Sequence, residues 1–306
     1  MSDIVSGEIG PTRSIQTVLR AILTDEGTEF MVNRTMPQER LPNLNPFALL
    51  DVLGPEVPPG HVEGYDAHPH AGIEVLTYCI EGAFENGTPS GEHETEMDAG
   101  DMVWMTFGKG AVHFERPAPH IIENGGRVLT AQLWLALPKH AYENPITAQR
   151  MHAKDVPVFE GEDGARARVL VGTLFGLTSP LKPTNQVAYT HLTLPPGTSL
   201  SPDIPNDYNC FVHILKGEAI VSGGPRLHQR QVALLAPDST HVHVENPADS
   251  QETTECLVVS AKPLEQPLIK AATFVMSSPQ EIEECFRKYG HMLGLSFGKD
   301  GGPPPA

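Results

Sequence analysis

Two short segments, His68-Pro69-His70 and His113-Phe114-Glu115, hold residue types that bind transition metals. Within each segment the two donors sit two positions apart, so on a β-strand both point to the same face. Two such strands crossing inside a β-barrel would aim three imidazoles and one carboxylate at a single point. Neutral imidazole and carboxylate together form a nitrogen and oxygen shell suited to a first-row metal. None of the four cysteines (Cys79, Cys210, Cys256, Cys285) lies near either pair. They are scattered without a C-x-x-C, and Cys79 and Cys210 fall in apolar runs, which reads as buried free thiols.

Glu74 competes with Glu115 as the carboxylate ligand, because it shares the even-numbered face of His68 and His70. At ~3.3 Å per residue, an unbroken strand separates positions 68 and 74 by about 20 Å. Only a kink at Gly72 would bring Glu74 in. Glu115 is therefore the expected ligand, and Glu74 is expected behind the ligands or in the barrel wall. An H-x-H alone among 14 histidines carries little weight, but here an H-x-E follows behind the glycine-rich Gly108-Lys109-Gly110. That loop reads as a tight turn positioning His113. Trp104, Phe107 and Phe114 read as pocket lining or as core. His61, His93, His120 and His140 lie in polar or proline-bordered stretches and read as surface residues.

The elements that must position these donors are short strands. From Ile15 the pattern is β, with Asp25-Glu26-Gly27 as a hairpin turn between Thr17–Leu23 and Glu29–Val32. A proline- and glycine-rich loop from Gly54 to Asp66 precedes the first donor pair. Strands follow at Ile73–Ile80, Glu94–Met97, Met102–Thr106, Val112–Glu115 and Arg127–Leu137, with a turn at Glu85–Ser90. After a polar stretch the pattern resumes at Ala167–Thr173, Val187–Leu194, Cys210–Ile214, Glu218–Val221, Gln231–Leu235 and Cys256–Ser260. Late in the chain Ser278-Pro279-Gln280-Glu281 is a capping box with proline at the first helical position. Ile282, Cys285, Phe286 and Tyr289 follow at helical spacing, and Gly290 is a fitting stop.

The second half echoes the first. Aligning Ile80-Glu81-Gly82 with Leu215-Lys216-Gly217 places Val242-His243-Val244-Glu245 against Val112-His113-Phe114-Glu115. Counting back, His68 and His70 fall on Asp203 and Pro205, so the copy has lost its first donor pair. One metal per chain is expected, in the first half, with His243 and Glu245 as a structural relic. The expected division is a loose tail over 1–14, a metal-binding domain over 15–140 and a linker over 141–157. A metal-free domain over 158–292 and a disordered tail over 293–306 complete it.

The chain has 306 residues, with 21 basic against 38 acidic side chains and a formal charge of −17. Such a balance repels nucleic acid and anionic membrane, so direct DNA binding is not expected. Neither a signal peptide nor an apolar stretch long enough to span a bilayer is evident, which points to a reducing cytoplasm. Asn33-Arg34-Thr35 and Asn86-Gly87-Thr88 match the glycosylation pattern but mean nothing without secretion. A monomer is the expected oligomeric state.

The order H-x-H, loop, later histidine is the cupin arrangement. Four blocks more specifically resemble the pirin family: Asn45–Asp51, His68–Glu74, Gly100–Thr106 and Gly108–Glu115. Phe274-Val275-Met276 with the following helix is similar to that family's ending. The resemblance implies an all-β bicupin, two tandem double-stranded jelly-roll barrels with a short C-terminal helix. It implies iron in the first barrel, held by His68, His70, His113 and Glu115, though Mn, Ni, Cu or Zn could replace Fe(II). It also implies quercetin 2,3-dioxygenase activity on an aromatic, enolisable substrate with O2, as in some bacterial pirins. There Glu115 would take the flavonol 3-hydroxyl proton, and ring cleavage with loss of carbon monoxide would follow. The alternative is a non-enzymatic, iron-dependent regulator that binds a protein partner, as described for the animal pirin. Ala111, Phe114 and Val52-Leu53 depart from the usual motifs without touching a ligand, and Phe114 is expected to alter the site's entrance.

Overall fold

The computed structural model describes residues 11–25, 31–54, 56–57, 59–60 and 64–294. The expected turn at Glu26-Gly27, His61, and the tails over 1–10 and 295–306 lie outside the described residues. Among the described residues no helix is long and apolar enough to cross a membrane.

The chain divides into two compact units. The larger contains the H-x-H and H-x-E segments and comprises 21–156, 180–186 and the chain from Lys262 onward. Its seven-stranded antiparallel sheet runs Thr147–Met151, Met102–Phe107, Ile73–Glu81, Leu129–Ala136, Phe47–Leu53, Met31–Met36 and Ile22–Asp25. A four-stranded sheet runs Tyr65–His70, Ala111–Pro117, Ala83–Gly87 and Thr95–Asp98. Val75, Val103, Met105 and Trp134 from the first sheet share one core with Phe84 and Met97 from the second. Met102–Phe107 is buried on both faces, so it reads as a continuous apolar run.

The H-x-H strand leaves its sheet at Gly72, with φ 73° and no room for a side chain: a Cβ there would lie 2.0 Å from the Val275 carbonyl oxygen. Only glycine satisfies both conditions. The kink that alone would have brought Glu74 in is therefore present, but it reverses the parity of the chain. Ile73, Val75 and Cys79 now face the core, which sends Glu74 to the opposite face. There its carboxylate accepts from the Thr184 backbone N–H (2.7 Å), the Asn185 N–H (3.2 Å) and Asn185 Nδ2 (2.9 Å). Glu74 holds the 180–186 segment in place; it is a structural residue.

The second unit repeats the order: Ile15–Arg20, Gln231–Leu235, Asn209–Lys216, Thr254–Ala261, Val187–Leu194, Arg166–Val171 and Val158–Glu160. A four-stranded sheet of Ser199–Leu200, Val244–Glu245, Glu218–Val221 and Arg226–His228 completes it. The duplication read from the sequence is thus a duplication of topology.

Several expectations differ from what is observed. The expected strand Thr17–Leu23 is two strands that part at Ala21: Ile15–Arg20 pairs with Gln231–Leu235, and Ile22–Asp25 with Met31–Met36. Ile15 and Val18 pack on the second unit's core, which draws the first strand there. The expected loose tail is ordered from Pro11, since Arg13 is buried and donates to the Ser239 (2.9 Å) and Tyr208 (2.8 Å) carbonyls. Residues 141–157, expected as a linker, carry the strand Thr147–Met151 on Met102–Phe107. Asp101 fixes them by accepting from the Ala153 N–H (2.7 Å) and from Arg150 (3.3 Å). The first half of the expected turn over 85–90 is the end of the strand Ala83–Gly87, and the chain turns only at Pro89-Ser90.

Residues 262–292, expected in the second domain, group with the larger unit. They form the hairpin Ile269–Ala271/Phe274–Met276 and the helix Pro279–Tyr289. Ser278 caps that helix as expected, accepting from the Glu281 N–H at 3.3 Å. Ile282, Cys285 and Phe286 are buried against Phe274, Ala71 and Leu137.

Candidate metal centre

Tyr65–His70 and Ala111–Pro117 do not cross within a barrel; they are antiparallel neighbours in one sheet. His68 stands opposite His113 and His70 opposite Ala111, and a register shift then sets Glu115 opposite Tyr65. Such an irregularity re-aims a side chain without ending the pairing. The three imidazole rings meet with centroids 4.6–4.8 Å apart. One donor atom from each of His68, His70 and His113 lies within 4.8 Å of the others, and among the described residues no other such group of three occurs.

The hydrogen-bond partners fix all three tautomers. Nδ1 of His68 donates to the Asp66 carbonyl (2.7 Å), and Nδ1 of His70 donates to the Thr273 carbonyl (3.0 Å). Nδ1 of His113 donates to Asn86 Oδ1 at 3.2 Å. Each neutral ring therefore turns a bare Nε2 lone pair inward, and pinned rings of this kind are characteristic of metal-bound histidine. Nε2 of His70 is buried without a hydrogen-bond partner. Nε2 atoms of His68 and His113 face each other at 3.1 Å. Two lone pairs repel at that distance unless a cation lies beside them. Nitrogens each ~2.1 Å from one ion and at right angles to each other fall about 3 Å apart. The donor set fits a divalent metal.

Glu115 is buried beside this cluster, with Oε2 4.0 Å from His113 Nε2. Thr77 Oγ1 and Asn86 Nδ2 each donate to its Oε1 at 2.8 Å, and Gln132 Nε2 donates to Oε2. Gln132 is oriented in turn by Trp134, whose indole N–H donates to Oε1 of the amide at 2.9 Å. Asn86 therefore ties the carboxylate to the His113 ring with one side chain. Sequence reasoning missed Thr77, Asn86 and Gln132, although a polar residue interrupting an apolar strand, as Thr77 and Gln132 do, was a usable signal. Replacing Asn86 by leucine is expected to weaken metal binding about 10- to 100-fold. Replacing it by aspartate, which keeps the acceptor for His113, should cost less; competition with a chromogenic chelator measures both.

Burial holds the basicity of all three imidazoles down. His70 and His113 fall well below the usual 6.5, with neighbouring imidazole charge adding to desolvation, and His68 falls less because Asp66 partly offsets burial. Burial acts oppositely on Glu115, raising it to about 7 against the pull of Thr77 and Gln132. As pH falls below 6.5 the unfolded chain binds protons on three histidines that the folded, metal-free protein refuses. Glu115 works the other way, because the folded state takes its proton near 7 and the unfolded state only near 4.5. The three imidazoles outweigh the one carboxyl, so the folded state holds fewer protons than the unfolded chain and stability falls as pH falls. Metal-free protein should therefore lose stability between pH 6.5 and 5. Urea midpoints in chelator that stay level or rise over that range would contradict this.

A cavity of ≈ 340 Å³ opens onto His68 and Glu115, lined also by Arg34, Asp51, Tyr65, Gln132, Trp134 and Lys270. Trp134 and Phe107 pack edge-on against His70 at 4.7 and 5.2 Å, keeping that side of the cluster dry. Trp104 is fully buried core. Phe114 does not reach the cavity mouth: it lies on the outer face against Gly87, under the Arg116 guanidinium at 4.9 Å. Of the histidines expected at the surface, His120 is exposed and 4.0 Å from Glu96.

In the second unit His243 Nδ1 meets Ser201 Oγ at 2.9 Å, and Glu245 lies 3.9 Å from its Nε2. Glu245 stands opposite Ser199 and Val244 opposite Leu200, so continuing the register sets Ser201 opposite His243. Ser201, rather than Asp203, is thus the counterpart of His68. Counting along the sequence overshot because two extra residues separate Ser201 from Gly217 compared with His68 and Gly82.

Residues 29–135 match the family model described as Pirin, and residues 189–292 match that described as Pirin C-terminal cupin domain. A pirin-like protein of Solanum lycopersicum is 30% identical over 267 residues, which cover 87% of each chain. Pirin of Homo sapiens is 27% identical over 282 residues, 90% of this chain and 92% of that one. The crystal structure of a quercetin 2,3-dioxygenase from Acinetobacter baumannii superposes with a TM-score of 0.84 at 27% identity. It covers 92% of this chain and 97% of that one.

Proposed function

The chain belongs to the pirin family and has its two-cupin fold, and from that premise we propose that it is a metal-dependent dioxygenase of the quercetin 2,3-dioxygenase type. The observation that carries this reading is the convergence of three Nε2 lone pairs, each ring pinned through Nδ1, beside a cavity that His68 and Glu115 line. In this reading His68, His70 and His113 hold one divalent first-row metal, taken to be Fe(II), and Glu115 is both the fourth ligand and the catalytic base. When bound, such a metal supplies Lewis acidity to the substrate's oxygens and an electron path to O2.

The protein's own part is proton transfer and placement. Glu115 takes the proton of the flavonol 3-hydroxyl, a role suited to a buried carboxylate whose basicity burial raises in the metal-free protein. Thr77, Asn86 and Gln132 keep both of its oxygens aimed and stabilise the charged form. Trp134 offers an aromatic wall along which a planar substrate can lie, and it orients Gln132 at the same time. Phe107 and Trp134 exclude water from the imidazoles. The closeness to the Acinetobacter baumannii quercetin 2,3-dioxygenase supports the substrate class.

The test is oxygen uptake and quercetin loss with protein loaded separately with Fe, Mn, Ni, Cu and Zn. Turnover with at least one metal, abolished by chelator, is expected. No loss of quercetin with any of them would overturn the dioxygenase reading.

A further inference from the structure

The second unit carries an H-x-H-x-E segment of its own, His241-Val242-His243-Val244-Glu245. Alternate side chains of an extended segment share one face. Val242 and Val244 lie in the core of this unit with Leu200, so His241, His243 and Glu245 are turned to the outer side. The spacing that points inward at the first cluster points outward here. The side chains of His241 and Glu245 are each 44% exposed, and that of His243 is 14% exposed.

The neighbouring strand supplies partners in step: Asp203 stands opposite His241, and Ser199 opposite Glu245, with Ser201 between them facing His243. Nδ1 of His241 meets Asp203 Oδ1 at 2.5 Å, and Nδ1 of His243 meets Ser201 Oγ at 2.9 Å. Among the described residues neither ring has a hydrogen bond at Nε2. Both rings are thus held through one nitrogen and offer the other, as when a polar side chain orients a metal-binding histidine. Glu245 Oε2 lies 3.9 Å from His243 Nε2. Two donors that share one tetrahedral ion, each ~2.1 Å from it, sit about 3.4 Å apart.

We propose that His241, His243 and Glu245 form a second metal site, on the outer face of this unit, for a divalent cation of the zinc, nickel or copper kind, with Asp203 and Ser201 orienting the two rings. Two imidazoles favour these ions over calcium and magnesium, which take oxygen donors. The three donors stand wider apart than those of the first centre. Alternate strand positions are only ~6.6 Å apart, so a turn of the exposed side chains closes the gap. A chain of formal charge −17 also draws cations to its surface. Water covers the rest of the ion, so binding is weaker than at the first centre and dialysis empties the site. His243 and Glu245, expected as a relic, are donors in this assignment.

The test needs no substrate and is independent of the dioxygenase reading. Protein loaded with zinc at the first centre and dialysed is titrated with zinc by calorimetry, and one further equivalent per chain should bind. His241→Ala and His243→Ala should each weaken that binding roughly tenfold or more, since loss of a ligand exceeds loss of a group that orients one. Glu245→Gln, an exposed and nearly isosteric change, should weaken it severalfold. His228→Ala removes an exposed histidine that lies 3.4 Å from Glu218 in the same unit, and it should leave the titration unaltered. No further equivalent in the unaltered protein would overturn the proposal. So would uptake that His241→Ala and His243→Ala leave in place, which would mark an adventitious ion only.

Discussion

Protein carrying His113→Ala should hold less than about a tenth of an equivalent of metal after dialysis, and its oxygen uptake with quercetin should fall to background. The expectation follows from position. His113 stands opposite His68 at the centre of the cluster, with its Nε2 3.1 Å from that of His68. Loss of a partner that only orients a ligand costs roughly 10- to 100-fold in metal affinity, and loss of the ligand itself costs more. The substitution also removes the partner of Asn86 Oδ1 inside a buried network, which adds about 1–3 kcal/mol of destabilisation. Metal analysis and a thermal melt separate the two effects. Folded His113→Ala protein that keeps a full equivalent of metal would remove this residue from the ligand set.

The four candidate donors were legible because spacing by two has one meaning on a strand, whatever the sheet around it. The rest of the centre was not legible, since it is assembled from distant parts of the chain. His70 is oriented by the carbonyl of Thr273, 203 residues away, and no local pattern carries that contact. Asn86 stood in a glycosylation-like tripeptide, while its real partners, His113 and Glu115, come from the neighbouring strand. Glu74 was harder still. The glycine that would have brought it inward is the one that turns it out, because one kink of positive φ shifts which side chains face the core. The strand pattern from Ile15 runs on without interruption, so nothing in its composition marks Ala21 as the point where pairing moves to a different sheet. Sheet membership is decided by which core covers Ile15 and Val18, and that is a tertiary fact.

Glu115→Gln separates ligation from proton transfer. The variant should retain most of its metal through the three imidazoles yet lose about 10²- to 10⁴-fold in kcat, the usual worth of a positioned general base. Glutamine is close to isosteric, but it cannot satisfy this site. Thr77, Asn86 and Gln132 all present donors to the carboxylate, so the new amide must turn an N–H2 toward at least one of them. A donor facing a buried donor costs about 1–3 kcal/mol, and Gln132 cannot flip to relieve it without giving up the Trp134 indole. Glu115→Asp is the informative companion, since it restores the charge but withdraws the oxygens. If the carboxylate acts as the base, kcat should rise with pH at a midpoint set by Glu115, and below the value of about 7 to which burial raises it in the metal-free protein, because a bound cation favours the charged form. That rise should vanish in Glu115→Gln and shift in Glu115→Asp. A Glu115→Gln variant with unaltered kcat and the parent's pH profile would reassign the proton acceptor to another group.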